Sequence, residues 1–426
     1  MRYTLTLPNF LKKRSSSLSL ALLCVLIVVF AFSLTSCHKD HDDPPAPTYK
    51  KEKTIFVYMP WTGSQSNLYS YFKKNIEDMK KGVVKQGGLK QVNLVIYIAS
   101  LRNKAHLIKV SYEKGKCTND TIATYNDGAM ETADKLSRLL NKVKSVAPAP
   151  IYDMIIGSHG VGWIYADEAP RYMRNKIVAA RRNNLLKGLP ITRQTRYFGG
   201  SDIEMDITEL AEGIARSDMQ HLQFLLFDDC NMANIETVYD LKDVTDYLIA
   251  CPTEIMGHGM PYYEMWQDLS TTSPNYKGMV DNFYQFYSNY KIGTEEYHYG
   301  TISVADCRQA NAMVELLCTI HTDYPLTTEM ETEQVQVLDG YAPPMFYDFS
   351  DYIHQLCKNP TLIARYDEMM KLLVPYEAHT EKYYSALVNN GVHYMRTCCG
   401  LTISAPSHNE MVKRSKATSC FYRNFQ

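Results

Sequence analysis

The chain has 426 residues, with 45 Lys and Arg against 46 Asp and Glu, for a formal net charge of -1. So even a balance gives no electrostatic footprint for a nucleic-acid partner, which shows as a basic excess or a clustered stripe. With 45% hydrophobic and 21% charged residues the composition excludes wholesale disorder, and its single strongly apolar stretch excludes a polytopic membrane protein.

Lys12, Lys13 and Arg14 precede an apolar stretch over residues 18–34, closed by Leu34-Thr35-Ser36-Cys37. A basic start, an apolar middle and small residues at the end make a secretory signal. The close resembles a bacterial lipobox, in which cleavage precedes the cysteine and its sulfur takes a diacylglycerol. Residues 1–36 therefore read as a lipoprotein signal peptide and Cys37 as the lipidation site. An uncleaved anchor helix would share the apolar stretch, but here a polar break follows Cys37 at once. Residues 37–53 read as an acidic, Pro-rich tether, because His38-Lys39-Asp40-His41-Asp42-Asp43 and Pro44-Pro45-Ala46-Pro47 hold nothing whose burial would offset ordering. An acidic run behind a lipidated cysteine is similar to the export signals of Bacteroidetes surface lipoproteins. The expected location is the cell envelope, extracytoplasmic and attached to the membrane through the amino-terminal lipid.

Residues 54–59 (TIFVYM) form an apolar, β-branched run without polar alternation, as in a strand buried on both faces. A turn through Trp61-Thr62-Gly63-Ser64 leads to a helical pattern ending near Gly82. Residues 92–98 predict a second buried strand and residues 106–112 a third, at an edge. The spacing of Leu136, Leu139, Leu140 and Val143 predicts a helix over 130–146. Residues 151–156 are a strand running into Gly157-Ser158-His159-Gly160-Val161-Gly162-Trp163. Residues 164–200 are basic and irregular, carrying Arg171, Arg174, Lys176, Arg181, Arg182, Lys187, Arg193 and Arg196. A helix from Ile207 precedes a strand over 222–227 that ends at Asp228-Asp229-Cys230. Alternating helices and doubly buried strands define an α/β sheet, mostly parallel, with helices on both sides. From residue 273 the pattern is more helical and rich in tyrosine, with strands near 300–305 and 400–404. The division that follows is 54–272 for the sheet domain and 273–426 for a helix-rich region completing or flanking it.

Eleven cysteines, less Cys24 in the leader and Cys37 at the lipobox, leave nine, an odd number that requires at least one free thiol or an external partner. Ligands of open parallel sheets collect beyond the carboxyl ends of the strands. Two strands end there in capable side chains, His159 and Cys230. A thiol must become a thiolate to attack a carbonyl, and an imidazole can manage that proton and later protonate the leaving amine. Glycines beside the histidine allow a backbone N–H to approach a substrate oxygen. A helix starting just after Cys230 would favour the thiolate, whereas Asp228 and Asp229 oppose it. Either residue alone has a plain alternative: a small core cysteine, a turn histidine. The glycine pattern 157/160/162 fits no nucleotide-binding fingerprint.

The histidine block, the cysteine block Phe227-Asp228-Asp229-Cys230-Asn231-Met232-Ala233-Asn234-Ile235-Glu236 and the segment Thr253-Glu254-Ile255-Met256-Gly257-His258-Gly259-Met260-Pro261-Tyr262 together resemble the clostripain family of cysteine peptidases, of the caspase-like clan. Asp229 in place of a small residue, Pro252 and Met260 depart from the family pattern. The resemblance implies a caspase-like α/β fold and hydrolysis of protein or peptide substrates after Arg or Lys. It implies Cys230 as nucleophile, His159 as general acid/base, the backbone N–H groups of Gly160 and Cys230 as oxyanion donors, and Asp228, or else Asp229, as the acid that receives the substrate cation. A carboxylate suits that task because it takes a guanidinium in two parallel hydrogen bonds. Family members are often cut between the two motifs, which directs attention to the basic stretch 164–200. Some require calcium (Ca2+), although no acidic cluster of this chain has ligand spacing. No cofactor is required by the sequence itself, no His-Glu-x-x-His supports a zinc hydrolase, and the alternative class is a catalytically inactive surface binding lipoprotein on the same fold.

Overall fold

Seven-residue runs dominated by aliphatic and aromatic side chains build the centre of a nine-stranded sheet. The structure, a computed structural model, describes residues 49–63, 67–165, 205–326 and 332–426. The strands are β1 (Lys53–Met59), β2 (Val92–Leu101), β3 (Lys104–Glu113), β4 (Lys116–Tyr125), β5 (Ile151–Gly157), β6 (Leu222–Asp228), β7 (Thr245–Ala250), β8 (Thr301–Asp306) and β9 (Tyr376–His379), in the spatial order β9-β8-β7-β6-β5-β1-β2-β3-β4. The five central strands, from β7 to β2, are mutually parallel. Antiparallel pairs flank them, β3 and β4 at one edge, β8 and β9 at the other.

Ten α-helices lie among the described residues: α1 (Tyr69–Lys85), α2 (Ala133–Val146), α3 (Ile207–Arg216), α4 (Ile235–Leu241), α5 (Tyr262–Leu269), α6 (Tyr276–Tyr287), α7 (Ala310–Asp323), α8 (Phe349–Leu356), α9 (Pro360–Leu373) and α10 (Glu410–Lys416). Successive side chains of the central strands point to opposite faces, so each feeds two cores. Phe56, Tyr58, Val95, Tyr97, Met154, Ile156, Leu225 and Phe227 pack with α2, α3, α4 and α7 to α10. Ile55, Val57, Met59, Leu94, Ile96, Ile155 and Leu226 pack with α1, α5 and α6 on the other face. In α2 the stripe Leu136, Leu139, Leu140 and Val143 is wholly buried, and each such side chain contributes about 1.5–3 kcal/mol. The helix begins at Ala133 rather than near Met130, because Thr132 caps it, its hydroxyl accepting the Lys135 N–H, and Met130 sits at φ +52°.

The mostly parallel sheet covered on both faces is the architecture expected from the sequence. Three strands lay outside that expectation: β4, β7 and the edge strand β9. β4 covers β3, so residues 104–113 are not at the edge; β4 is largely exposed, rich in Thr and polar residues, and carries no apolar alternation. β7 is a short strand with only three apolar residues at its end. The later half of the chain supplies β8 and β9 to the same sheet, and Tyr49–Gln426 forms one compact unit. Residues 402–403 do form a strand, but in a separate pair with residues 347–348.

Candidate active site

β5 and β6 are parallel neighbours in a register that places Ile155 opposite Leu226 and Gly157 opposite Asp228. The chain then runs two residues past that last pair on each strand, to His159 and to Cys230. Neighbouring strands lie about 4.8 Å apart, so the two segments leave the sheet side by side. Their contact depends on glycine. A Cβ on Gly160 would lie 2.3 Å from the carbonyl oxygen of Cys230 and 2.8 Å from Met232 Sδ, so only a residue without a side chain lets the segments meet. Gly162, at φ +63°, approaches Asn234 and Phe346 in the same way. Asp229 Oδ1 accepts the Ser158 backbone N–H at 2.5 Å, tying the cysteine segment to the histidine segment directly. Sequence reasoning left Asp229 as a candidate for receiving a substrate cation; here one of its oxygens holds the histidine loop.

Both candidate side chains are buried, His159 to 1% exposure and Cys230 to none. The thiol faces the segment after β7: the Ile255 N–H donates to Cys230 Sγ at 3.4 Å, and the thiol donates to the Ile255 carbonyl at 3.8 Å. Burial pushes the Cys230 thiol well up from its ordinary value, Glu254 adds to the rise, the Ile255 N–H opposes it, and Cys251 and Asp229 raise it further. α4 does not begin at the cysteine. Residues 231–234 first cross to neighbouring strands, with Asn231 (φ +55°) donating its N–H to the Thr253 carbonyl and Ala233 to that of Cys251. Asn234 then occupies the N-cap position of a seven-residue α4, which starts five residues past Cys230 and not directly after it.

Asp228 is wholly buried at the last position of β6; its Oδ1 accepts the Met260 N–H at 2.9 Å and its Oδ2 the Tyr262 hydroxyl at 3.0 Å. It therefore fastens the segment leading into α5. Glu254, to which the sequence assigned no role, is buried next door, accepting the Ser385 hydroxyl and, at 3.1 Å, the Ala386 N–H. Glu254 and Ile255 entered the sequence reading only as part of the third block, without a role, and Ser385 not at all, because nothing in their local pattern signals which distant residues they meet.

Cys37, the leader, the tether histidines and nearly all of the basic stretch 164–200 lie outside the described residues. No helix among the described residues is long and apolar enough to cross a membrane, and no group of three or more His, Cys, Asp or Glu among them could hold a metal ion. The nine cysteines from Cys117 onward are all described, and none is in a disulfide.

A sequence model of the clostripain family matches residues 57–394, well over half of the chain. A secreted C11 cysteine protease of Bacteroides thetaiotaomicron ("iotapain") is 35% identical in sequence, with a TM-score of 0.76 over 89% of this chain and 100% of that one. The chain belongs to the clostripain family of cysteine proteases. An inactive zymogen C11 protease of Parabacteroides distasonis (24% identity, TM-score 0.71, 89% and 99% of the two chains) shares the fold. So does a second secreted C11 protease of B. thetaiotaomicron, solved with an irreversible peptide inhibitor (21% identity, TM-score 0.70, 88% and 99%). No curated protein matches the chain.

Proposed function

We propose that this protein is a cysteine endopeptidase that cleaves after Arg or Lys through Cys230 and His159, acting outside the cytoplasm from a lipid anchor on Cys37. The observation that carries the reading is the meeting of the two strand ends, where Gly160 lies against the carbonyl of Cys230. In the reaction the Cys230 proton passes to the His159 imidazole as sulfur bonds to the substrate carbonyl carbon. The backbone N–H groups of Gly160 and Cys230 receive the oxyanion. The imidazolium then protonates the amine nitrogen, the C–N bond breaks, and a thioester remains. Water, giving a proton to His159, attacks the thioester and restores the thiol as the acid product leaves. Asp228 supplies the negative charge for the substrate cation once the segment at Met260 yields. The same specificity makes the basic stretch 164–200 a substrate for the enzyme itself.

Protein beginning near Thr48 and its Cys230→Ala form, assayed with reductant, with and without calcium, on fluorogenic peptides ending in Arg, Lys, Asp or Leu, test this reading. Turnover after Arg or Lys is expected, reduced at least about 10^3-fold by Cys230→Ala, with two fragments split in the basic stretch and an intact mutant. Cleavage only after other residues retires Asp228 from specificity. The second reading, an inactive binding lipoprotein, draws on the sealed, protonated Cys230 and on Asp229, Pro252 and Met260. Absence of turnover from folded, processed protein would select it.

A further inference from the structure

Glu236 lies on α4, six residues past the candidate nucleophile, and is wholly buried. Its Oε1 accepts the Ser404 backbone N–H at 2.8 Å and the Tyr422 hydroxyl at 2.5 Å; its Oε2 is buried with no hydrogen-bond partner among the described residues. The histidine segment reaches the same place. Trp163, four residues past His159 and also buried, donates its indole N–H to the Ser404 hydroxyl at 2.9 Å, and its ring centroid stands 5.4 Å from that of Tyr422. Two residues on, the Tyr165 N–H donates to the Ser415 hydroxyl at 3.3 Å. Lys416 donates to the Ala405 carbonyl at 2.6 Å with its ammonium 5.1 Å from the Tyr422 ring centroid. Both reactive strand ends are thus fastened to one stretch, residues 404–422, remote from either in sequence.

An apolar filling would stabilise this junction more cheaply than a carboxylate with an unpartnered oxygen, since a buried charge is costly unless fully satisfied. What directional hydrogen bonds add is position: apolar surfaces slide, whereas a carboxylate shared by two donors fixes its partners. Misplacement of reacting groups by 1 Å costs about 10^2-fold in rate.

We propose that Glu236, Tyr422 and Trp163 are positioning residues, clamping the histidine-bearing and cysteine-bearing segments to one carboxyl-terminal stretch and so setting His159 against Cys230. The proposal rests on those two side chains acting together, as argued above. Its test is Tyr422→Phe, which removes one hydroxyl and keeps the ring, alongside Trp163→Phe and the double variant. Two quantities are read: kcat per active site, titrated with an irreversible alkylating peptide, and the pH profile of Cys230 alkylation by iodoacetamide, followed by mass spectrometry. In Tyr422→Phe, kcat should fall about 10-fold with KM within about twofold, and the alkylation profile should move away from that of the wild type as the two segments shift around Cys230. The double variant should be little worse than the worse single one, because both break one clamp. Unchanged kcat per site, or a loss explained by unfolded protein with an unmoved alkylation profile, overturns the proposal. Should the wild type hydrolyse none of the peptides, the functional reading fails separately. The alkylation profiles then decide the clamp alone, a shift supporting it and coincidence overturning it.

Discussion

At the sulfur of Cys230 nearly every influence points one way. Burial, the carboxylate of Glu254 and that of Asp229 all disfavour the thiolate, and a single backbone N–H, from Ile255, favours it. The resting group is therefore a thiol across neutral pH, and it ionises only as the pH climbs beyond the ordinary cysteine range. Glu254 is the one strong opponent that can be removed without emptying space. In Glu254→Gln the amide oxygen can still accept the Ala386 N–H and the amide NH2 can donate to the Ser385 hydroxyl oxygen while the charge is gone, so the thiol pKa should drop. Iodoacetamide labelling of folded Cys230 near pH 8 should then speed up about threefold over wild type. An unaltered labelling rate in a variant of native stability would show that Glu254 acts on the fold and not on the thiol.

At the scale of elements, the spacing of β5 and β6 brings the two reactive segments together, and Gly160 keeps them in contact. A methyl group there meets a carbonyl oxygen, which cannot rotate away as a side chain can. Gly160→Ala should lower kcat/KM about 10^2-fold or more while circular dichroism stays native; activity within twofold of wild type would mean that the segments have slack. The strands carrying this geometry were legible in the sequence because β1, β2, β5 and β6 are buried on both faces and read as mainly apolar runs without polar alternation, broken only by single residues such as Asn93, Asp153 and Gln223. β4 was not legible, since both its faces are largely in water and Thr121, Asn119 and Asp120 show no period. Nor was the delayed start of α4: the helical spacing from Ile235 was visible, but the crossing of residues 231–234 is held by Thr253, Cys251 and Thr402, partners that no local pattern announces. His159 and Cys230 stood out because glycines and strand ends mark them. Tyr422, 186 residues from Glu236, has no such mark.

For the molecule as a whole, chain order and spatial order part company in a useful way. The first part of the chain, through β5, ends with the histidine segment, and everything from α3 onward carries the cysteine, its clamp and the other edge of the sheet. The joint between these parts includes the β5–β6 ladder, the packing of α2 on α3 and of α1 on α5, the Ser158–Asp229 bond and the bonds from Trp163 and Tyr165 to the carboxyl-terminal stretch. None of it uses the peptide link between residues 165 and 205. The protein is in this sense divisible: residues 49–165 and 205–426, co-expressed as separate polypeptides, should find each other, co-elute as a one-to-one complex and unfold in a single transition. Size-exclusion chromatography with mass spectrometry checks this, and two species that never associate would show that covalent continuity, rather than the shared sheet, holds the halves in place. If they do assemble, the reactive pair is split between partners, and each half alone is chemically mute until it recognises the other.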